Sequence, residues 1–497
     1  MNAAELREVV NRAEANYEKA FLILSSVKEF KPASDLPQFQ PLLARTMLEL
    51  SNAYRQLSQK RKALIRKKAS VKQEWFVAQL RMVQRRQEIV QSAIAIGQAL
   101  GDSFAWFFYQ RDPDLLEKHR EQQRQDRLPP GIGGLGERVF IDHTQLMGNS
   151  LVLYHGVTTI LRLGDFSLID MSTLRVCGIG EIKTSRADDT GCCLSVSMLV
   201  RKDSNHGLPV DGPAVVDGPA PLVTAAEDFT PMSQHQSERM ERQLAAIAES
   251  VKPSAVETRD LEAKLNPGKS LEALAHVLTT AEEEGQGAKA VGKGLIFTAY
   301  KLPQGSLYDR LTPKRKPNLK NLFEKIPSEV ERITLPEAEK NSLEISTFLH
   351  HGNGRYALPW GTVPFFWWQL PQTAIRRVML VEMVVLTMFN VGMFVALLEA
   401  EGFEVKYADG KKFEIVEISK AGESHRIEVR GMRYFTDLIR SGLYSELEVF
   451  DLIKQTLALA PTDDPTQRVV MPVRLSPRWG PTLPLLARKT DAMSPLE

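Results

Sequence analysis

The residues best able to do chemistry lie in one stretch, LRLGDFSLIDMSTLRVCGIGEIKTS, residues 161–185. Hydrolysis of a phosphodiester needs charge neutralised on the scissile phosphate, a water activated as nucleophile and a stabilised leaving oxygen. A divalent cation held by two carboxylates supplies most of this, and hard oxygen ligands suit magnesium or manganese. Asp165 stands near the start of one apolar stretch. Glu181 and Lys183, two apart in the next, share a face if that stretch is a strand. In such a hairpin Asp165 comes across from Glu181, both can bind one metal ion, and Lys183 lies beside them to orient water or steady developing negative charge. The bland alternative is a same-face ion pair between Glu181 and Lys183, because an E-x-K tripeptide alone means almost nothing.

The elements that must position these groups read as follows. Residues 150–169 cluster and alternate apolar side chains as strands do, residues 174–182 read as the next strand, and a tight turn around Asp170–Thr173 joins the two. Asp170 competes with Asp165 for the ligand role, but a turn aspartate is ordinary. Asp165 is preferred because Leu163, Phe166 and Leu168 embed it in a strand, where an unpaired carboxylate is otherwise disfavoured. GIGGLG, Gly131–Gly136, imitates a dinucleotide loop without a convincing strand before it and is read as a loop ahead of a helix. The segment FEIVEISK, Phe413–Lys420, is a decoy, since its spacing puts Glu417 and Lys420 on opposite faces of a strand.

Strand, aspartate, turn, then an apolar strand ending in E-x-K resembles the PD-(D/E)xK nuclease superfamily, over roughly residues 131–251. GDFSLID followed by GEIKTS looks like its variants in bacterial defence and DNA-processing proteins. Gly164 stands where the motif has proline. The resemblance implies a restriction-endonuclease-like α/β core, a mixed sheet flanked by helices, and a magnesium- or manganese-dependent nuclease acting on nucleic acid, most readily DNA, in genome defence. It implies Asp165, Glu181 and the Ile182 carbonyl as metal ligands, Lys183 as the catalytic cation and Glu137 on the preceding helix as an accessory ligand or base. Gln243 would match a glutamine that many members carry on the helix after the E-x-K strand.

The rest of the chain bounds the class. At 497 residues it exceeds one hydrophobic core. Three parts are expected: a helical, coiled-coil-like region over 1–128, a nuclease-like domain over 129–335 with a flexible insertion near 202–230, and an α+β domain over 336–497. The 63 Lys+Arg nearly balance the 61 Asp+Glu, so any basic surface must be local. The helical region is basic from Lys60 to Lys68 and again at Arg81, Arg85 and Arg86. It reads as a solvated face rather than a DNA-contacting arm, and its length allows self-association into a dimer. Cys177, Cys192 and Cys193 suit neither a disulfide framework nor a spaced zinc site, and no secretory signal opens the chain, so a reducing cytoplasm is expected. His143, His155, His350 and His351 lack ligand spacing and read as loop or surface residues. PWGTVPFFWW, residues 359–368, reads as a core or interface plug rather than a base-stacking surface. Val378–Leu398 approaches the roughly 20 apolar residues of a membrane span, yet contains Glu382 and Asn390 and is read as a buried helix. The rival readings are a non-catalytic scaffold with a nuclease-like sheet and a membrane-associated effector.

Overall fold

The computed structural model describes residues 1–29, 31, 35–110, 112, 115–116, 118–119, 132–144, 146–147, 149–186, 192–200, 268–312, 343–347, 364–410, 414–421, 426–430, 432–440 and 444–458. The chain is mixed α/β with antiparallel sheets, and it divides into two compact units, 1–255 with 306–311, and 256–305 with 312–497. The insertion near 202–230, Gln243, the basic stretch 313–320, His350 and His351 lie outside the described residues.

The first unit opens with three helices, α1 (Ala3–Lys28), α2 (Leu36–Arg66) and α3 (Gln73–Tyr109). Asn2 caps α1 by accepting from the Glu5 amide, with Glu5 returning the contact. Buried residues recur at helical spacing, as in Leu43, Met47, Leu50 and Leu57, so the helices share an apolar seam. Helix α4 (Ile132–His143) follows, then a meander of β1 (Leu146–Met147), β2 (Ser150–Tyr154), β3 (Phe166–Asp170), β4 (Arg175–Arg186) and β5 (Cys192–Val200), in that spatial order.

All pairings described in this sheet are antiparallel, as strands joined by short turns must be, so the mixed sheet expected is not met among the described residues. Phe140 of α4 packs with Val152, Phe166, Leu168, Cys177, Ile182 and Val196 on one face of the sheet. That packing outweighs the roughly 1 kcal/mol cost of each helical glycine, and residues 132–136 lie in α4 instead of forming a loop.

The helical region and the sheet are one unit because α2 docks on β2. The buried Gln40 amide donates to the Val152 carbonyl (2.7 Å) and its oxygen accepts from the Tyr154 amide (2.7 Å).

The second unit contains α5 (Gly268–Glu284), β6 (Gln286–Ala290), β7 (Leu295–Lys301), β8 (Leu343–Thr347), α6 (Gln372–Met379), β9 (Met383–Asn390) and α7 (Val391–Ala400). Strand β7, expected to belong with the nuclease-like domain, sits here in the sheet β6-β7-β9-β8. The segment Val378–Leu398 is not one helix. Val381 takes a φ of 60°, ending α6, and the next residues form β9 between β7 and β8 before α7 begins. A strand buried on both faces is continuously apolar, so periodicity alone does not separate it from a helix. No helix among the described residues is long and apolar enough to cross a membrane. Phe365, Phe366, Trp367 and Trp368 are buried, as expected of a core plug. A second sheet, β10 (Glu404–Tyr407), β11 (Ile415–Ala421) and β12 (Arg426–Arg430), and two helices, α8 (Met432–Arg440) and α9 (Glu446–Ala458), complete the described part.

Candidate functional site

Asp165 lies one residue ahead of β3, at a point where the backbone is fixed from both sides. Its amide donates to the Gly180 carbonyl of β4 (2.8 Å) and its carbonyl accepts from the His155 amide (2.8 Å). Its carboxylate Oδ2 then accepts from the Ile182 amide at 2.7 Å. In an antiparallel strand the N–H and C=O of one residue point to the same side. The Ile182 carbonyl therefore faces the space that Asp165 caps, between Glu181 and Lys183. The turn that returns β4 to this point, Asp170–Thr173, is closed by the Leu174 amide donating to the Asp170 carbonyl (2.7 Å).

Two glycines make this approach possible. Gly164 has a φ of 69°, and a Cβ there would sit 2.6 Å from the Gly180 carbonyl oxygen. A Cβ on Gly180 would lie 2.2 Å from the Phe166 ring. Proline, whose ring holds φ near −65°, has no access to the conformation of residue 164, whereas glycine adopts it freely.

Glu181 is 1% exposed and sits on β4, paired with Ser197. Lys183, also on β4, pairs with Ser195 of β5, and its side chain lies outside the described residues. Glu137, on α4, accepts a short hydrogen bond from the Tyr154 hydroxyl at the end of β2. Burial pushes the Tyr154 hydroxyl well above its ordinary pKa, and the Glu137 and Asp165 charges push it further, so this group stays protonated within the field of both carboxylates. Tyr154 was not singled out in the sequence; its only signal there is the end of an apolar strand beside Gly164–Asp165. Asp170 is spent elsewhere. Its carboxylate accepts from the Ser172 amide and hydroxyl and from the Thr173 hydroxyl, closing the β3–β4 turn.

Among the described residues no three His, Cys, Asp or Glu side chains are grouped as a metal site. Two carboxylates and a backbone carbonyl would make an all-oxygen donor set, which suits a hard cation.

Behind Asp165 runs a buried chain of side chains. His155, expected to be a loop or surface residue, lies in the connection between β2 and β3 and is buried, as are Tyr109, His119 and Ser167. Nδ1 of His119 accepts from the Arg162 and Leu163 amides (3.0 Å each), so its proton is on Nε2, facing the Tyr109 hydroxyl at 2.9 Å. Nδ1 of His155 faces the Gly164 carbonyl at 3.1 Å and must carry a proton. Its Nε2 therefore accepts from Ser167 Oγ (2.6 Å), which in turn accepts from Tyr109 (2.5 Å). Every donor has its acceptor in one direction only, and both rings are neutral. The loop 158–160 is held as firmly. Asp102 of α3 accepts from the Thr159 amide (2.5 Å), the Thr159 hydroxyl (2.6 Å) and the Ile160 amide (3.2 Å).

Burial lowers the His119 pKa well below its ordinary value, with the His155 and Arg162 charges adding to the effect. Burial also lowers His155 to about 4 against the pull of the Gly164 and Leu163 carbonyls. The unfolded chain takes up this proton near pH 6.5 and the folded chain does not. Stability is therefore full above pH 6.5, falls as the pH drops towards 4, and loses about 3 kcal/mol to His155 alone. Urea midpoints at pH 7 and pH 4.5 should differ less in His155→Gln than in the wild type; equal differences would contradict a neutral buried His155.

No protein family, no curated protein and no solved structure matches the chain.

Proposed function

We propose that the chain is a metal-dependent nuclease whose first unit carries a restriction-endonuclease-like core, with DNA as its substrate and the cleavage of foreign DNA in bacterial defence as its role. The observation that supports this most is the Asp165 carboxylate seated on the amide of Ile182, the residue between Glu181 and Lys183 in the E-x-K strand. Asp165 and Glu181, with the Ile182 carbonyl, would hold a magnesium or manganese ion. Such an ion, when bound, neutralises charge on the phosphate and acidifies a coordinated water.

The chain's own residues do the remainder. The Ile182 amide orients the Asp165 carboxylate, and the Tyr154 hydroxyl holds Glu137, which would serve as an accessory ligand or base. Lys183, two residues beyond Glu181, supplies the positive charge that steadies the phosphate as its charge redistributes. Supercoiled plasmid should be cut in magnesium or manganese and left intact in EDTA, and Lys183→Ala should cut at least about 100-fold more slowly. DNA left intact by the wild type under every condition would overturn the proposal.

A second reading has an observation of its own. The Asp165 and Glu137 carboxylates both accept hydrogen bonds from the chain itself, as they would in a non-catalytic scaffold.

A further inference from the structure

The tip of the α2–α3 hairpin is the most one-sided charge distribution in the described chain. The Gln87 amide donates to the Ser58 hydroxyl at 2.9 Å, which sets the register of the two helices, and Arg86 beside it reaches the Met1 carbonyl at 3.5 Å, marking where α1 begins alongside. Beyond this point, residues 59–86 carry ten Lys and Arg against Glu74 alone, a net charge of +9. The whole chain is net +2, so everything else together is net −7. Lys60, Arg61, Lys62, Arg66, Lys67 and Lys68 are all exposed, Lys72 follows them into the turn, and among the described residues none is ion-paired. The tip also exposes Ile65 at 49% and Trp75 at 48%.

A solvated helix face, as read from the sequence, would interleave acids with its bases, and no acid occurs between Glu49 and Glu74. The arrangement also bears on the type of polyanion. At about 100° per residue, Lys60, Arg61, Lys62 and Arg66 are spread around α2, and Ile65 falls between the directions of Arg61 and Lys62. A helix that lies on a lipid surface keeps an apolar face apart from its charges. This one is ringed by cations, which suits phosphates approaching from more than one side, with the Trp75 ring available to lie against sugar or base.

We infer that this tip is a docking surface for the sugar–phosphate backbone of DNA, separate from the β3–β4 site. The inference rests on the nuclease reading for the choice of polyanion, and on the tip residues for the location. The test is fluorescence anisotropy of a labelled DNA duplex in EDTA, which silences cutting. The variant Arg66→Gln/Lys67→Gln/Lys68→Gln should bind at least about tenfold more weakly than the wild type, with the slope of log K against log salt reduced by about 2 to 3. Lys19→Gln/Lys289→Gln/Lys406→Gln, which removes equal charge at scattered exposed positions, should change binding less than about twofold. Equal weakening in both variants, or none in the tip variant, would overturn the inference. So would loss of sedimentation with phosphatidylserine vesicles in the tip variant while its DNA binding is unchanged. The two proposals fail separately. DNA bound through the tip but never cut upholds this inference and removes the nuclease, whereas DNA cut by a protein whose tip variant binds normally does the reverse.

Discussion

Asp165→Asn should keep its fold and lose its activity. Asparagine retains an oxygen at the same position, so the hydrogen bond from the Ile182 amide at 2.7 Å can persist and the β3–β4 join is preserved. What it removes is the negative charge that a hard cation needs. Metal-dependent cleavage should fall at least about 100-fold, and the melting temperature should move by no more than about 2 °C, since a retained neutral hydrogen bond costs under about 1 kcal/mol. Asp165→Ala should do more damage to stability, because it leaves the Ile182 amide without that acceptor. If Asp165→Asn cuts as the wild type does, Asp165 is a cap on the end of a strand and the scaffold reading stands.

Asp102→Ala is expected to give the largest loss of stability. The carboxylate is buried and accepts from two backbone amides and one hydroxyl in the loop that leads to Gly164 and Asp165. Alanine would leave the Thr159 and Ile160 amides without that acceptor in a dry environment, at about 1–3 kcal/mol each. A total of about 4 kcal/mol lowers the melting temperature by roughly 10 °C in a unit of this size. Asp102→Asn, which keeps one oxygen for the amides, should recover more than half of the loss. A melting temperature within about 2 °C of wild type for Asp102→Ala would show that the loop does not depend on this anchor.

The strand-turn-strand frame of the candidate site is legible where it depends on local pattern. The turn at Asp170–Thr173 and the apolar runs on either side are short-range signals, and together they give the β3–β4 hairpin that Asp165 precedes and Glu181 belongs to. The position of Asp165 itself was read less well. It precedes β3 rather than lying within it, because Gly164 turns the backbone into a region open to glycine. The burial of His155 is not legible in the sequence, because a buried neutral histidine depends on partners brought in by folding, here Ser167 and the Gly164 carbonyl, which no spacing rule announces. GIGGLG and Val378–Leu398 were misread for the converse reason. Packing of Phe140 and cross-strand pairing of β9 overrode local propensities that favoured a loop and a helix. The unity of helices and sheet rests on single contacts such as Gln40 to β2, more than a hundred positions apart in the chain, and those are invisible to composition.

We propose that Asp165 and Glu181 share one hard cation. Titration of manganese into the purified protein, read by calorimetry or by paramagnetic resonance of the free ion, tests it without any assumption about substrate. Wild type should bind one ion per chain at this site and Glu181→Gln should lose it; manganese binding that is the same in both proteins, or absent from the wild type, would contradict the account.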